Sequence, residues 1–504
     1  MAAGALTFGV PADLPAAAPP GLVITHFSRD LSSRIILSWT AETNTFTNVF
    51  FTVQGTTNLR AGFTALASPV PANASLAFTD TVLSAGSTAF YRVAEPVAFT
   101  ALNQPGAFTA FAATNVNGLN TTGYGGAVFD GRYIYFAPFQ SGGYHGRVLR
   151  YDTQAGFTNI ASWTAYDAGN VNGLTTRGYE GGVFDGRFVY FSPAASGIQA
   201  GKVLRLDTTG NFMNATSWTA FDASNIDGLA TYGFQGAVFD GRFVYFVGHY
   251  NTAFDGVMLR YDTQGNFTDT NNWSAYDAGN TSGLNAKGYS GGVFDGRYIY
   301  FSPTVSLANP LTPSGIVLRY DTQSPFTNPA GWQAYDASAT GGQNAVDYKG
   351  AIFDDRYVYF IPNLTSNNVA LRYDTQSPFT NAAGWTAYAA TNINGLPVQG
   401  YDGGLFDGRY VYFVPYHDSS NNWHGLVLRY DTQAPFASSN SWQAVDAGNT
   451  SGLPTRGYEG AVSDGRYLYF APYYNGTGFS GNVLRFDARL PRAIPPTVTG
   501  GSNL

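Results

Sequence analysis

The chain contains no cysteine. That excludes disulfides, thiolate nucleophiles and cysteine-based metal sites, and it suits cytosol, cell surface and virion alike. Lysine is scarce, with only Lys202, Lys287 and Lys349, and the net charge is −7. A phosphate-backbone binder needs clustered cations, so nucleic acid is not an expected partner. Glutamate is limited to Glu42, Glu95, Glu180 and Glu459. No apolar run reaches membrane-spanning length. The opening "MAAGALTFGVPADLPAAAPP" lacks the basic start and long apolar stretch of a classical signal peptide. An omitted signal, another export route and an intracellular site all fit that opening. The expected location is extracellular, at the cell surface, or on a virion or other particle. HExxH, GxSxG and P-loop motifs are also missing, as is the sialidase Asp-box.

What the chain has is glycine and aromatic rings: 60 Gly and 16% Phe, Trp and Tyr. Disordered chains are poor in aromatics, so this composition predicts a rigid all-β protein with many turns. Residues 1–21 read as an extended Ala/Pro-rich arm. From 22 to 95, short alternating runs ("LVITHF", "RIILSWT", "VFFTVQGT", "LAFTD", "AFYRVA") separated by turn residues predict a small β-sandwich. The stretch "LSWTA … FFTVQGTTNL … FTD … FYRV" resembles the fibronectin type III-like modules appended to bacterial secreted proteins. In those proteins they act as spacers or docking units.

From residue 99 to 490 the chain repeats. "GYEGGVFDGRFVYFSP" (178–193) has six near-copies, and its Asp recurs at Asp130, Asp185, Asp240, Asp295, Asp354, Asp407 and Asp464. Each unit continues with "VLRYDTQ" or a variant, and most then add "FTN…SWTAYDA" and "GNVNGL". Two β-type runs around Asp-Gly predict a hairpin with a type I′ turn. "VLRYD" and "WTAYDA" supply two more strands. Four antiparallel strands per unit and seven units predict a seven-bladed β-propeller. The last unit stops after its third strand, while "GAFTAFAATNVNGL" (106–119) precedes the first. An N-terminal strand is therefore expected to close the last blade. Residues 491–504 are left as a C-terminal tail.

The Gly pair (Gly181-Gly182), the Tyr-Asp (Tyr151-Asp152) and the Trp about eleven residues later (Trp163) resemble kelch repeats. Kelch blades carry their Gly pair after the second strand, where this chain mostly reads "SP", "AP" or "VP", so the repeats are kelch-like. The resemblance implies either a protein-binding module or a copper oxidase. The oxidase needs a Cys-linked Tyr, which this chain cannot supply.

Most repeated residues read as structural. One Arg follows each turn and another precedes each Tyr/Leu/Phe-Asp. Both are expected to pair with repeat Asp residues or with carbonyls between blades. The Trp series is expected between blades, with Phe108 in the equivalent slot of the closing strand. The blade links offer oxygens at Asp167, Asn170, Asn172, Asp222, Asn225 and Asp227. These are weak calcium candidates beside a plainer reading as Asx turns. No other cofactor is expected.

Function is expected in the second turn of each blade, where the copies diverge. Four of the five His and many aromatics collect there. The candidate ligand-binding residues are Phe139, Tyr144, His145, His249, Tyr250, Tyr416, His417, Trp423, His424, Tyr473 and Tyr474. Exposed rings with Asn, Asp and His suit sugar faces or a protein partner. No catalytic residue stands out. Glu180 and Glu459 share one repeat slot, where other blades have Gly, Gln, Ser, Lys and Asp. The leading expectation is a non-enzymatic surface or extracellular protein that binds glycan or protein, in the manner of an adhesin. The alternative is a structural subunit of a surface layer, appendage or phage-like tail, self-assembling through its arm and sandwich. A carbohydrate-active enzyme is the third reading.

Overall fold

The computed structural model describes residues 99–194, 201–308, 311–363 and 368–488, together with the strands of the N-terminal region. The arm at 1–21 and the tail at 491–504 lie outside the described residues. Two compact units divide between Val97 and Ala98. In the first, Val23–Arg29, Ile35–Thr40 and Ala77–Asp80 form one antiparallel sheet. Phe50–Thr56 pairs with Thr64–Ala65, Val70–Pro71 and Phe90–Ala94 in the other sheet of this small sandwich.

The second unit is the seven-bladed propeller, each blade a four-stranded antiparallel sheet. Blade two shows the plan, with strands Tyr179–Phe184, Phe188–Pro193, Lys202–Asp207 and Trp218–Asp222 running from the axis outward. Blade seven has three consecutive strands and takes Phe108–Ala112 as its fourth, in register from Asn482 opposite Ala112 to Phe486 opposite Phe108. Phe108 thus holds the place that Trp163 holds opposite Tyr151 in blade one. The closure read from the split repeat is the one the chain uses.

The first turn differs from the type I′ expectation. Only the second residue of the pair has positive φ, Gly186 (102°) in blade two and Asp355 (79°) in blade five, and the Asp before it does not. The Asp instead organises the turn with its carboxylate. Asp185 Oδ1 accepts from the N–H groups of Arg187 (2.8 Å) and Phe188 (2.6 Å), and Oδ2 accepts from the Tyr190 hydroxyl (2.8 Å). All seven blades repeat this pattern, so the repeated Asp is a turn-builder. The Arg after it pairs with the Asp ending the third strand of its own blade, as Arg187 does with Asp207 at 2.7 Å. That pair shows that the first and third turns share a face.

The other Arg series does not pair with carboxylates. Arg205 lies between two rings, 4.1 Å from the centroid of Phe188 and 4.2 Å from that of Phe267 in the next blade. Such stacking uses the planar guanidinium as a joint between blades. The Trp series makes a second joint: Trp218 stacks on Tyr166 of the preceding blade at 5.2 Å, and its Nε1–H donates to the Phe212 carbonyl at 3.0 Å. A third joint runs through the blade links, where Asn172 Oδ1 accepts from Ala220 N–H (2.8 Å) and Asp227 Oδ2 from Ala275 N–H (2.9 Å).

At the axis every inner strand carries a β-bulge, seen in blade two as a register shift between Tyr179 and Gly182. The bulge places a positive-φ glycine at each of 126, 181, 236, 291, 350, 403 and 460. These seven form a ring so tight that a Cβ on any of them would stand 2.9–3.5 Å from the next glycine's Cα. The last contact, Gly460 to Gly126, closes the circle.

Candidate functional site

The residue just before each ring glycine varies from blade to blade. In order the seven are Gly125, Glu180, Gln235, Ser290, Lys349, Asp402 and Glu459. The bulge turns these side chains toward the axis, as bulges beside sites commonly do. Their contacts show it, because they join different blades and one of them, Lys349 to Glu180, crosses between blades that are not neighbours. Lys349 Nζ of blade five lies 2.9 Å from Glu180 Oε1 of blade two and 2.5 Å from Asp402 Oδ2 of blade six. Gln235 Nε2 of blade three donates to Glu180 Oε2 at 3.0 Å. Glu180, Asp402 and Glu459 are all buried.

Burial opposes a charge on Lys349, but Asp402, Glu180 and Glu459 outweigh it and hold the ammonium protonated beyond its ordinary range. Burial pushes the Glu459 carboxyl well above the usual range. Lys349 pulls it back only in part, and Glu180 and Asp402 add to the rise. Asp402 is raised by burial too, and lowered in part by Lys349. Glu459 Oε2 is buried without a hydrogen-bond partner. Lysine therefore satisfies two of three carboxyls and leaves the third lacking a cation.

The ring lies at the variable-loop end of the blades. Tyr179 pairs with Pro193, the last residue of the second strand, so the slot beside it sits at the loop end of the blade. The residue following that second strand caps each blade, and its N–H donates back to the residue preceding the inner strand, as Ala194 does to Gly178 at 3.0 Å. The caps are Phe139, Ala194, His249, Thr304, Asn363, Tyr416 and Tyr473. Lys349 Nζ lies 5.5 Å from the Tyr416 ring centroid. The hydroxyls of Tyr416 and Tyr473 are both raised by burial and then by Glu459. His249 is lowered by burial, with Glu180 and Lys349 as its charged neighbours, and its Nδ1 lies 3.1 Å from the Tyr289 carbonyl of the next blade.

Blades six, seven and one join their rings into one arc. Tyr416 and Tyr473 are stacked at 6.4 Å, and Tyr473 meets Phe139 at 5.8 Å. Tyr144 packs on Phe139, Trp423 on Tyr416, and Tyr474 on Trp423. These rings are half-buried and rim the buried acids. His417 packs on Trp423 at 4.5 Å, and its Nδ1 lies 2.8 Å from the Asp418 carbonyl.

Other residues of the expected set do not join this arc. His145 is buried, with Nε2 3.0 Å from the Thr122 carbonyl and Nδ1 accepting from Arg147 N–H. His424 repeats that arrangement on the Gln399 carbonyl (2.6 Å) and Leu426 N–H. Both act as loop ties. Tyr250 packs within its own loop on Phe254 at 5.1 Å. The oxygens weighed for calcium face backbone or solvent, and the Asp222 carboxylate also meets the Lys202 ammonium and the Ser224 hydroxyl. Asp167 Oδ1 accepts from Gly169 N–H, Asp222 Oδ1 from Ser224 N–H, and Asn170 and Asn225 are exposed. Among the described residues, no three His, Asp or Glu side chains form a metal-binding group. No helix among them is long and apolar enough to cross a membrane.

No family model and no curated protein matches the chain. Among solved structures it is similar to one described as a hypothetical selenium-binding protein from Sulfolobus tokodaii. The identity is 10%, covering 72% of this chain and 92% of that one, with a TM-score of 0.47. The propeller assignment rests on the strand pairing above.

Proposed function

We propose that this chain is a non-enzymatic binding protein that recognises a glycan, free or on a protein partner, through the variable-loop face of its propeller. The observation that carries the reading is the coincidence of the aromatic arc with the polar ring at one mouth. Sugars present apolar faces to rings and hydroxyls to acids and amides, and this mouth offers both. The kelch-like repeats fit a recognition role, and the fibronectin type III-like module would act as spacer or anchor at a cell or particle surface. Glycan-array binding by the full chain tests the reading. Tyr473→Ala and Phe139→Ala should each weaken binding by about tenfold, the order expected for loss of one stacked ring. Array binding that is absent, or unchanged in both variants, refutes it.

A further inference from the structure

The axial mouth has a charge imbalance that the aromatic rim does not explain. Among the slot and cap residues only Lys349 is a fixed cation, and it is locked between Glu180 and Asp402. An anionic ligand would find no free positive group there. Glu459 is 4% exposed, its Oε2 has no partner, and it lies within the electrostatic reach of Lys349, Glu180 and Asp402. A buried carboxyl oxygen without a partner is costly unless something bonds to it. Beside it stand Tyr416, whose hydroxyl lies against the carboxyl, and Tyr473; aromatic rings attract cations through the quadrupoles of their faces. Lys349 already uses Tyr416 in this way.

We propose that the mouth selects ligands bearing an ammonium group, such as an amino sugar with its amine free, and seats that group on Glu459 between Tyr416 and Tyr473. The inference deepens the glycan reading and rests on it. The ammonium donates to the unpartnered Glu459 oxygen, and the sugar ring lies along the aromatic arc. Burial raises the Glu459 carboxyl and a seated cation would lower it again, so binding should release protons to solvent. The other titratable groups facing the mouth are Lys349, Glu180, Asp402, His249, Tyr416 and Tyr473, with His417 packed behind Tyr416; Lys349 stays charged throughout.

Calorimetry on the full chain tests this with a glucosamine hexamer and its N-acetylated counterpart, in mildly acidic buffers of two different ionisation enthalpies. The free-amine hexamer should bind at least about tenfold more tightly, the order of one charge-assisted bond plus a cation–π contact. Its binding should release protons, and Glu459→Gln should abolish both the preference and the proton release. Tyr473→Leu, which leaves the charges in place, should weaken both hexamers. Equal binding of the two, or a preference that survives Glu459→Gln, overturns the ammonium inference and leaves the glycan reading standing. If neither hexamer binds while another array glycan does, the ammonium inference also falls alone. If no glycan binds at all, both fall.

Discussion

The glycine ring makes a prediction that can be isolated within one blade. Gly236 and Gly241 both belong to blade three and both have positive φ, at 82° and 101°. A Cβ on Gly241 would meet nothing within 4 Å, whereas a Cβ on Gly236 would stand 2.9 Å from Gly291 Cα and 3.3 Å from Gly291 N. Those atoms are backbone and cannot swing aside. Gly241→Ala should cost only the conformational term, about 1–2 kcal/mol for an L-residue in left-handed space. Gly236→Ala should cost that plus about 1–3 kcal/mol of overpacking. Urea unfolding of the full chain, followed by tryptophan fluorescence, reads the difference. The expected order is wild type, then Gly241→Ala, then Gly236→Ala, at unchanged slope. If the two variants are equally stable, or Gly236→Ala is the milder, blade contact through glycine is not what closes the axis.

Asp185→Ala should cost about 2–3 kcal/mol, because it strips partners from two backbone N–H groups and the Tyr190 hydroxyl, whereas Arg187→Ala, with its side chain 60% exposed, should leave the melting temperature nearly unchanged because solvent screens an exposed pair; thermal melts of the two variants separate these roles. Asp255 has its Oδ2 buried and unpartnered, and burial raises its pKa to about 7 from 3.8. A raised folded-state pKa means stability is fully present below pH about 4 and is lost as pH rises through about 7. Asp255→Asn should therefore stabilise the protein at pH 8 by about 1–3 kcal/mol, allowing for partial exposure, and change little at pH 4. Melting curves at the two pH values check this, and an equal gain at both would refute it.

The fold was legible because its determinants are local and repeated. The Asp-Gly-Arg turn, the strand runs around it and the missing fourth strand of the last unit all lie within short windows. The turn type departs from the expectation because Asp-Gly usually signals positive φ at both positions. Here the Asp carboxylate bonds to the two N–H groups beyond it, and a three-residue turn results. The site was only half legible. The divergent loops and their rings stood out, and so did the shared slot of Glu180 and Glu459. What no window contains is the meeting of Glu180 with Lys349 and Asp402, from blades two, five and six, which exists only once the ring has closed. His145 and His424 misled for the same reason in reverse. A histidine in a variable loop looks free until the carbonyls of Thr122 and Gln399 are seen beside it.

The closing strand also sets an order of events during synthesis. Phe108–Ala112 leaves the ribosome before any complete blade, yet its partner Asn482–Asp487 is made last. Through nearly the whole of translation the nascent propeller carries a strand without a sheet and a sheet without its edge. Exposed edges of that kind template pairing between chains. Two chains halted at this stage hold what each other lacks, and exchange of Phe108–Ala112 between them would give a strand-swapped pair with every blade complete. The feature that completes the last blade of the finished ring makes the unfinished one a donor and an acceptor at once.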